Sequence, residues 1–85
     1  MIDEAIFLIG RAEEGVHYQE VAKGVSRVHL ELERNQGKLQ VKDVGSRNGT
    51  YLNGQLMVAY KAYSLQAGDK LQLASTEGPI YELVG

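Results

Sequence analysis

Two Asn-Gly pairs lie only five positions apart in this 85-residue chain, at Asn48-Gly49 and Asn53-Gly54. An Asn-Gly pair favours a type I′ turn, because both residues tolerate a positive φ. Residues 50–52 between the pairs are too few for a strand with a hairpin at each end. We therefore predict that Asn53-Gly54 is a hairpin turn, joining strands at residues 50–52 and 55–58. The first pair follows Ser46-Arg47 in a donor-rich loop, and such a loop can cradle an anion.

Apolar and polar residues alternate over residues 28–33 and again around Leu39 and Val41, as in strands with one buried face. Between them, Asn35-Gln36-Gly37 predicts a three-residue hairpin loop. Residues 6–9 form an apolar run typical of a buried strand. Because ten glycines punctuate these short segments, we expect an all-β domain with tight turns, built as a sandwich or a barrel.

Residues 55–67 are compatible with two structures. They contain no glycine or proline, and Leu56, Tyr60 and Tyr63 lie at helical spacing. The β pattern of the neighbouring segments favours short strands instead, near residues 56–58 and 63–65. Two further strands are predicted, at residues 71–73 after the turn Gly68-Asp69 and at residues 80–84 after Gly78-Pro79.

The composition excludes several classes of protein. There is no cysteine, and two histidines are too few for a zinc cluster, so we expect neither a metal nor another cofactor. The formal net charge of −2 argues against a general nucleic-acid binder. No apolar run is long enough to insert in a membrane and no signal-peptide pattern occurs, so a cytoplasmic setting is expected. The length predicts one domain over residues 1–85. We expect this domain to be monomeric and to be a module of a larger protein, and a membrane anchor elsewhere in that protein stays open.

Short motifs occur along the chain in an order that is more specific than any one of them. They are Gly10-Arg11, Ser26-Arg27-x-His29, Asp43-x-x-Ser46-Arg47-Asn48-Gly49-Thr50-x-x-Asn53-Gly54 and Leu65-x-x-Gly68-Asp69. This series resembles the forkhead-associated (FHA) domain over residues 6–84. The resemblance implies a β-sandwich of about eleven short, mostly antiparallel strands with binding loops at one end.

The resemblance also implies a phosphothreonine-peptide site. Arg11 and Ser26 match positions that bind phosphate, Arg27 and Arg47 match positions that add phosphate or peptide contacts, and Asn48 matches the position that binds the peptide main chain. The matching supporting residues are Gly10, His29, Gly49, Thr50 and Asn53. Arginine presents a planar fork that suits phosphate, and an asparagine amide can pair with a peptide N–H and C=O together. We therefore expect a phosphothreonine-dependent binding module for proteins or peptides in Ser/Thr kinase signalling, without catalysis.

Two alternatives stay open beside this interpretation. A phosphorylation-independent assembly domain would keep the fold without the ligand. A small hydrolase would use Ser26 or Ser46 with His29, although no acid is placed to complete a triad and no Gly-x-Ser-x-Gly motif occurs. The chain also departs from the family pattern, with Ala74 where many members have glycine and with three acidic residues that would repel an acidic ligand, Glu13, Glu14 and Glu20.

Overall fold

The computed structural model describes residues 4–84, with the side chains described from residue 6, and these residues form nine strands. In order, the strands are β1 (Glu4–Gly10), β2 (Tyr18–Gln19), β3 (Leu30–Asn35), β4 (Lys38–Asp43), β5 (Thr50–Leu52), β6 (Gln55–Leu56), β7 (Tyr63–Ser64), β8 (Lys70–Leu73) and β9 (Ile80–Glu82). No helix occurs within residues 4–84, so the helical alternative for residues 55–67 is wrong, and two short strands lie there instead.

The strands form two sheets. The five-stranded sheet has the order β2-β1-β3-β4-β7, and the four-stranded sheet has the order β6-β5-β8-β9. Every pairing is antiparallel except that of β1 with β2. The predicted all-β architecture of two sheets is thereby confirmed, with nine strands in the described part of the chain where about eleven were expected.

The register of the large sheet follows from its alternating pattern. Leu32 of β3 lies opposite Val41 of β4, and Leu30 of β3 lies opposite Ile9 of β1, so these apolar residues share the inner face. Leu30, Val41 and Leu73 are fully buried and belong to one core cluster that joins the two sheets. A one-residue slip would turn this face to solvent, and the hydrophobic effect therefore fixes the pairing.

The hairpin between β3 and β4 differs from the prediction. Asn35 pairs with Lys38, so the loop contains two residues, Gln36 and Gly37, and not three. Their φ angles of 54° and 78° are typical of a type I′ turn. Asn53-Gly54 forms the same kind of two-residue turn between β5 and β6, with φ angles of 51° and 85°, as predicted. The sequence pattern gives no signal for the shorter loop, because glutamine rarely adopts the positive φ that Gln36 has here.

The antiparallel pairing brings three connections to one end of the sandwich. The end of β1 lies beside the start of β3, and the start of β3 lies beside the end of β4. The connections formed by residues 11–17, 20–29 and 44–49 therefore begin or end at the same edge of the molecule. These are the connections that carry the motifs at Arg11, at Ser26-Arg27 and at Arg47-Asn48.

Candidate functional site

The segment that follows β1 is hydrogen-bonded directly to the segment that precedes β3. The Arg11 N–H donates to the Ser26 carbonyl at 2.8 Å, and the Ala12 N–H donates to the Arg27 carbonyl at 3.1 Å. Such a close approach requires glycine at position 10, since a Cβ there would lie 2.1 Å from the Arg27 carbonyl oxygen. The two motifs, fourteen residues apart in sequence, are thus held side by side by their backbones.

Asp43 shapes the loop that carries Ser46, Arg47 and Asn48. Its buried carboxylate accepts hydrogen bonds from the Gly45 and Ser46 N–H groups, both at 2.9 Å, and from the hydroxyls of Ser46 and Thr50. Burial alone would raise the pKa of Asp43, but these hydrogen bonds outweigh it and hold the pKa below its ordinary value. The sequence interpretation quoted Asp43 in its motif without giving it a role. An aspartate two residues before Gly-Ser at a strand end was the available signal.

The His29 side chain links the connection of residues 20–29 to that of residues 44–49. Its Nδ1 accepts from the Ser26 N–H at 3.1 Å, and its Nε2 lies 2.7 Å from the Gly49 carbonyl. Because a carbonyl can only accept, Nε2 carries the proton of the neutral ring. Burial lowers the pKa of His29, against the opposing effects of the Gly49 bond and the Asp43 charge. The neutral imidazole therefore satisfies both partners, the Ser26 N–H and the Gly49 carbonyl.

Two further hydrogen bonds join the connection of residues 44–49 to that of residues 20–29. The Arg47 N–H donates to the Ser26 Oγ at 2.9 Å, and the Asn48 Nδ2 donates to the Gly24 carbonyl at 2.8 Å. Each bond spans more than twenty residues of sequence. The predicted contact residues therefore position one another before any ligand is present.

These loops enclose a groove of about 650 Å³. Five of its lining residues are the predicted contact residues Arg11, Ser26, Arg27, Arg47 and Asn48, and the others are Gly24, Val25 and Val28. The lining contains three guanidinium groups and no carboxylate. An anion is consequently the ligand that the electrostatics of this groove favour.

The predicted supporting residues divide into two groups. Four of them do not line the groove but take part in the contacts that hold its loops together: Gly10, His29, Gly49 and Thr50. Asn53 lies in the β5–β6 turn, where its side chain donates to Asp69 at 3.1 Å and accepts from the Lys70 N–H at 2.9 Å. Asn53 is not among the residues that line the groove.

The hydroxyls of Ser26 and Ser46 have partners other than His29. The Ser46 Oγ donates to Asp43 and accepts from the Gly49 N–H, while the Ser26 Oγ accepts from Arg47. Both ring nitrogens of His29 contact backbone groups. This arrangement lacks the contact between a serine hydroxyl and the histidine that nucleophilic catalysis requires.

Two neighbouring grooves extend the surface on either side. One shares Arg11 and Arg27 with the first groove and contains Glu13 and Glu14. The other shares Gly24 and Asn48, and it is lined on its far side by residues that the sequence interpretation did not assign to the site, Lys23, Ala74, Ser75, Glu77, Gly78 and Pro79. Neither Glu13 nor Glu14 lines the first groove, and Arg47 does not line the groove that contains them.

The departures from the family pattern have local explanations. Ala74 adopts a φ of 77°, a conformation that favours glycine, so an alanine there is strained. Glu20 accepts hydrogen bonds from the Tyr81 hydroxyl and the Ala22 N–H, and its carboxylate is therefore engaged away from the groove. Neither departure removes a residue from the groove lining.

Within residues 4–84, no set of three or more histidine, aspartate or glutamate side chains is arranged to hold a metal ion. The same part of the chain contains no helix of the length and apolar character needed to cross a membrane.

The fold and the groove define a β-sandwich whose connecting loops form a cationic site at one end. Residues 7–74 match the FHA domain family, and the chain belongs to that family. FHA domains are binding modules found in signalling proteins.

Comparisons with individual proteins agree with this assignment. The chain is 36% identical over 74 residues to the oxoglutarate dehydrogenase inhibitor of Corynebacterium glutamicum, covering 86% of this chain and 48% of that protein. It therefore spans about half the length of the curated relatives it matches first. A solved FHA domain, from work on phosphothreonine-dependent FHA interactions, is 28% identical with a TM-score of 0.73, over 82% of this chain and 69% of that one. The FHA domain of a Chlamydia trachomatis protein shares the fold, with a TM-score of 0.82 at 20% identity, over 95% of this chain and 76% of that one.

Proposed function

We propose that this chain binds phosphothreonine-containing peptides or proteins, as a signalling module without catalysis. The observation that carries the proposal is the convergence of five contact residues from three connections on one cationic groove. The relation to FHA domains with phosphothreonine-dependent interactions supports it. We further propose a cytoplasmic setting, a monomeric state and a place within a larger protein that responds to Ser/Thr kinases.

The phosphate is received by Arg11 and Ser26, with Arg27 beside them. The backbone bond between Arg11 and Ser26 fixes the origins of their two side chains next to each other. The Ser26 hydroxyl accepts from Arg47, so its own proton is available to a phosphate oxygen. Charge-assisted hydrogen bonds contribute about 1.5–3 kcal/mol each, and association itself costs several kcal/mol. We therefore expect a dissociation constant in the micromolar range, which corresponds to a binding free energy of about −8 kcal/mol.

The peptide main chain is read by Asn48. One proton of its Nδ2 is donated to the Gly24 carbonyl, which leaves the second proton and Oδ1 for a peptide C=O and N–H. Asn48 lines both the cationic groove and the adjacent groove of Lys23 and Ala74. A peptide held by its phosphate in the first groove would therefore pass over Asn48 as it continues.

The proposal is tested by fluorescence polarisation with a degenerate phosphothreonine peptide pool and its unphosphorylated twin. We expect only the phosphorylated pool to bind. Equal binding of both pools would support the phosphorylation-independent assembly domain instead, and release of phosphate would indicate a hydrolase.

Substitutions then locate the site. Arg11→Ala and Ser26→Ala should each weaken binding by about 10- to 100-fold, because each removes a hydrogen bond to a charged phosphate. Arg34→Ala is the matched control, since Arg34 lies near the opposite end of β3 and does not line the groove. Circular dichroism verifies the fold of each variant. Unchanged affinity in both the Arg11 and Ser26 variants would contradict the assignment.

A further inference from the structure

Three of the four arginines in this chain surround one groove, although the chain as a whole has a formal net charge of −2. Arg11, Arg27 and Arg47 are all solvent-exposed. Among the residues that the structure describes, none of the three guanidinium groups forms an ion pair with a carboxylate. The groove therefore concentrates uncompensated positive charge at one place on an otherwise mildly acidic protein.

This charge exceeds what one phosphothreonine supplies. A phosphothreonine carries about −1.5 to −2 charges at neutral pH, whereas the three guanidinium groups carry three positive charges between them. An excess of roughly one positive charge remains after the phosphate is bound. The groove, at about 650 Å³, also has room for more than a phosphoryl group.

Of the three arginines, Arg47 is the one that lines the first groove without also lining a neighbouring groove. Arg11 and Arg27 also line the neighbouring groove that contains Glu13 and Glu14, whose carboxylates oppose a second anion there. Arg47 does not line that groove. The Arg47 N–H donates a hydrogen bond to the Ser26 Oγ, which holds the Arg47 backbone next to Ser26. The Arg47 side chain therefore begins close to the proposed phosphate position.

We propose that the groove selects phosphothreonine peptides that carry a second anionic side chain, a carboxylate or another phosphate, next to the phosphothreonine. Arg47 receives this second anion. The inference rests on the proposed function and specifies the class of ligand, which is a phosphothreonine within an acidic or doubly phosphorylated sequence.

The test uses peptides of one sequence that differ only beside the phosphothreonine, where they carry Gln, Glu or a second phosphothreonine, on each side in turn. An unphosphorylated Glu peptide completes the set. On one side of the phosphothreonine, the wild-type domain should bind the Glu peptide about five- to tenfold more tightly than the Gln peptide at low salt. The doubly phosphorylated peptide shows whether phosphate serves better than carboxylate, and the unphosphorylated peptide should not bind.

Arg47→Gln should reduce the Glu-to-Gln preference to less than about twofold, whatever its effect on overall affinity, because only the preference depends on the second anion. Arg34→Gln, which removes an equal charge outside the groove, should preserve the preference. Equal binding of the Gln and Glu peptides by the wild-type domain would overturn the inference and leave the proposed function standing. An undiminished preference in Arg47→Gln would also overturn it. Failure of every phosphorylated peptide to bind would reject the proposed function itself.

Discussion

Asp43 determines the shape of the binding loop although its side chain does not line the groove. Its carboxylate accepts four hydrogen bonds from three residues of that loop and of β5, namely Gly45, Ser46 and Thr50. Bonds of this kind to an ionised group are the strong ones in proteins. The position of Asn48 therefore depends on Asp43, a residue that does not line the groove.

Asp43→Asn should lower the free energy of unfolding at pH 7 by about 1–3 kcal/mol, because the amide replaces an acceptor by a donor in front of N–H and O–H groups. The folded-state pKa of Asp43 lies below its ordinary value of 3.8, so its contribution is present above that pH and is lost as the pH falls further. Urea unfolding should thus show that the difference in the free energy of unfolding between wild type and variant is smaller at pH 3 than at pH 7. A difference that stays constant between the two pH values would contradict this account. The Asp69 side chain is less buried than that of Asp43, so Asp69→Asn serves as the comparison and should lower the free energy of unfolding less.

Asn48 is expected to separate peptide recognition from phosphate recognition. Asn48→Ala should weaken phosphothreonine-peptide binding at least about tenfold, because the main-chain contacts are lost. Inorganic phosphate, titrated by NMR, should bind almost as before, since Arg11 and Ser26 are bonded to each other without Asn48. Asn35→Ala, in the hairpin at the far end of β3, is the control. Equal losses for phosphate and peptide would reject the main-chain role.

Among the structural elements, the two tight hairpins offer a matched comparison. Gln36-Gly37 and Asn53-Gly54 have nearly the same φ angles, but only the second has the asparagine that such a turn favours. Gln36→Asn should therefore raise the free energy of unfolding by a few tenths to about 1 kcal/mol. Chemical denaturation with an unchanged m-value checks the shift.

The reverse substitution, Asn53→Gln, should cost more than Gln36→Asn gains. It places glutamine at positive φ and also removes the two bonds from the Asn53 side chain to Asp69 and Lys70. A loss of about 1–3 kcal/mol is expected. If both substitutions changed stability by less than about 0.2 kcal/mol, turn conformation would not contribute at these positions.

The elements that the sequence predicts well are those defined by local patterns. The Asn53-Gly54 turn, the alternation in β3 and β4 and the all-β class follow from residues that are neighbours in sequence. Predictions failed where distant contacts decide. Residues 28 and 29, predicted to continue the alternating strand, belong instead to the connection before β3. The joining of Arg11 to Ser26 and the bond from Asn48 to Gly24 likewise depend on residues that are distant in sequence.

At the scale of the whole molecule, the groove depends on the packing of the two sheets. The Gly49 carbonyl accepts a hydrogen bond from the Ala74 N–H, just after β8 of the small sheet, and one from His29, just before β3 of the large sheet. Leu73, next to Ala74, pairs with Thr50 and belongs to the core cluster. The core and the binding loops are thus connected through two adjacent residues of one chain segment.

Leu73→Ala and Phe7→Ala should therefore differ strongly. Leu73 is 0% exposed, and its truncation leaves a cavity between the sheets that should cost about 2–5 kcal/mol. Phe7 is 41% exposed and stacks on His17, so its truncation should cost clearly less than that of Leu73, although phenylalanine is the larger side chain. The loss expected for Leu73→Ala is a large share of the roughly 4–13 kcal/mol of total stability expected for a domain of this length. Urea titrations measure the loss of unfolding free energy in both variants. Saturating phosphothreonine peptide should restore part of the unfolding free energy that Leu73→Ala loses, because the ligand binds only the folded state. Equal costs for the two variants would mean that the core between the sheets is not the main source of stability.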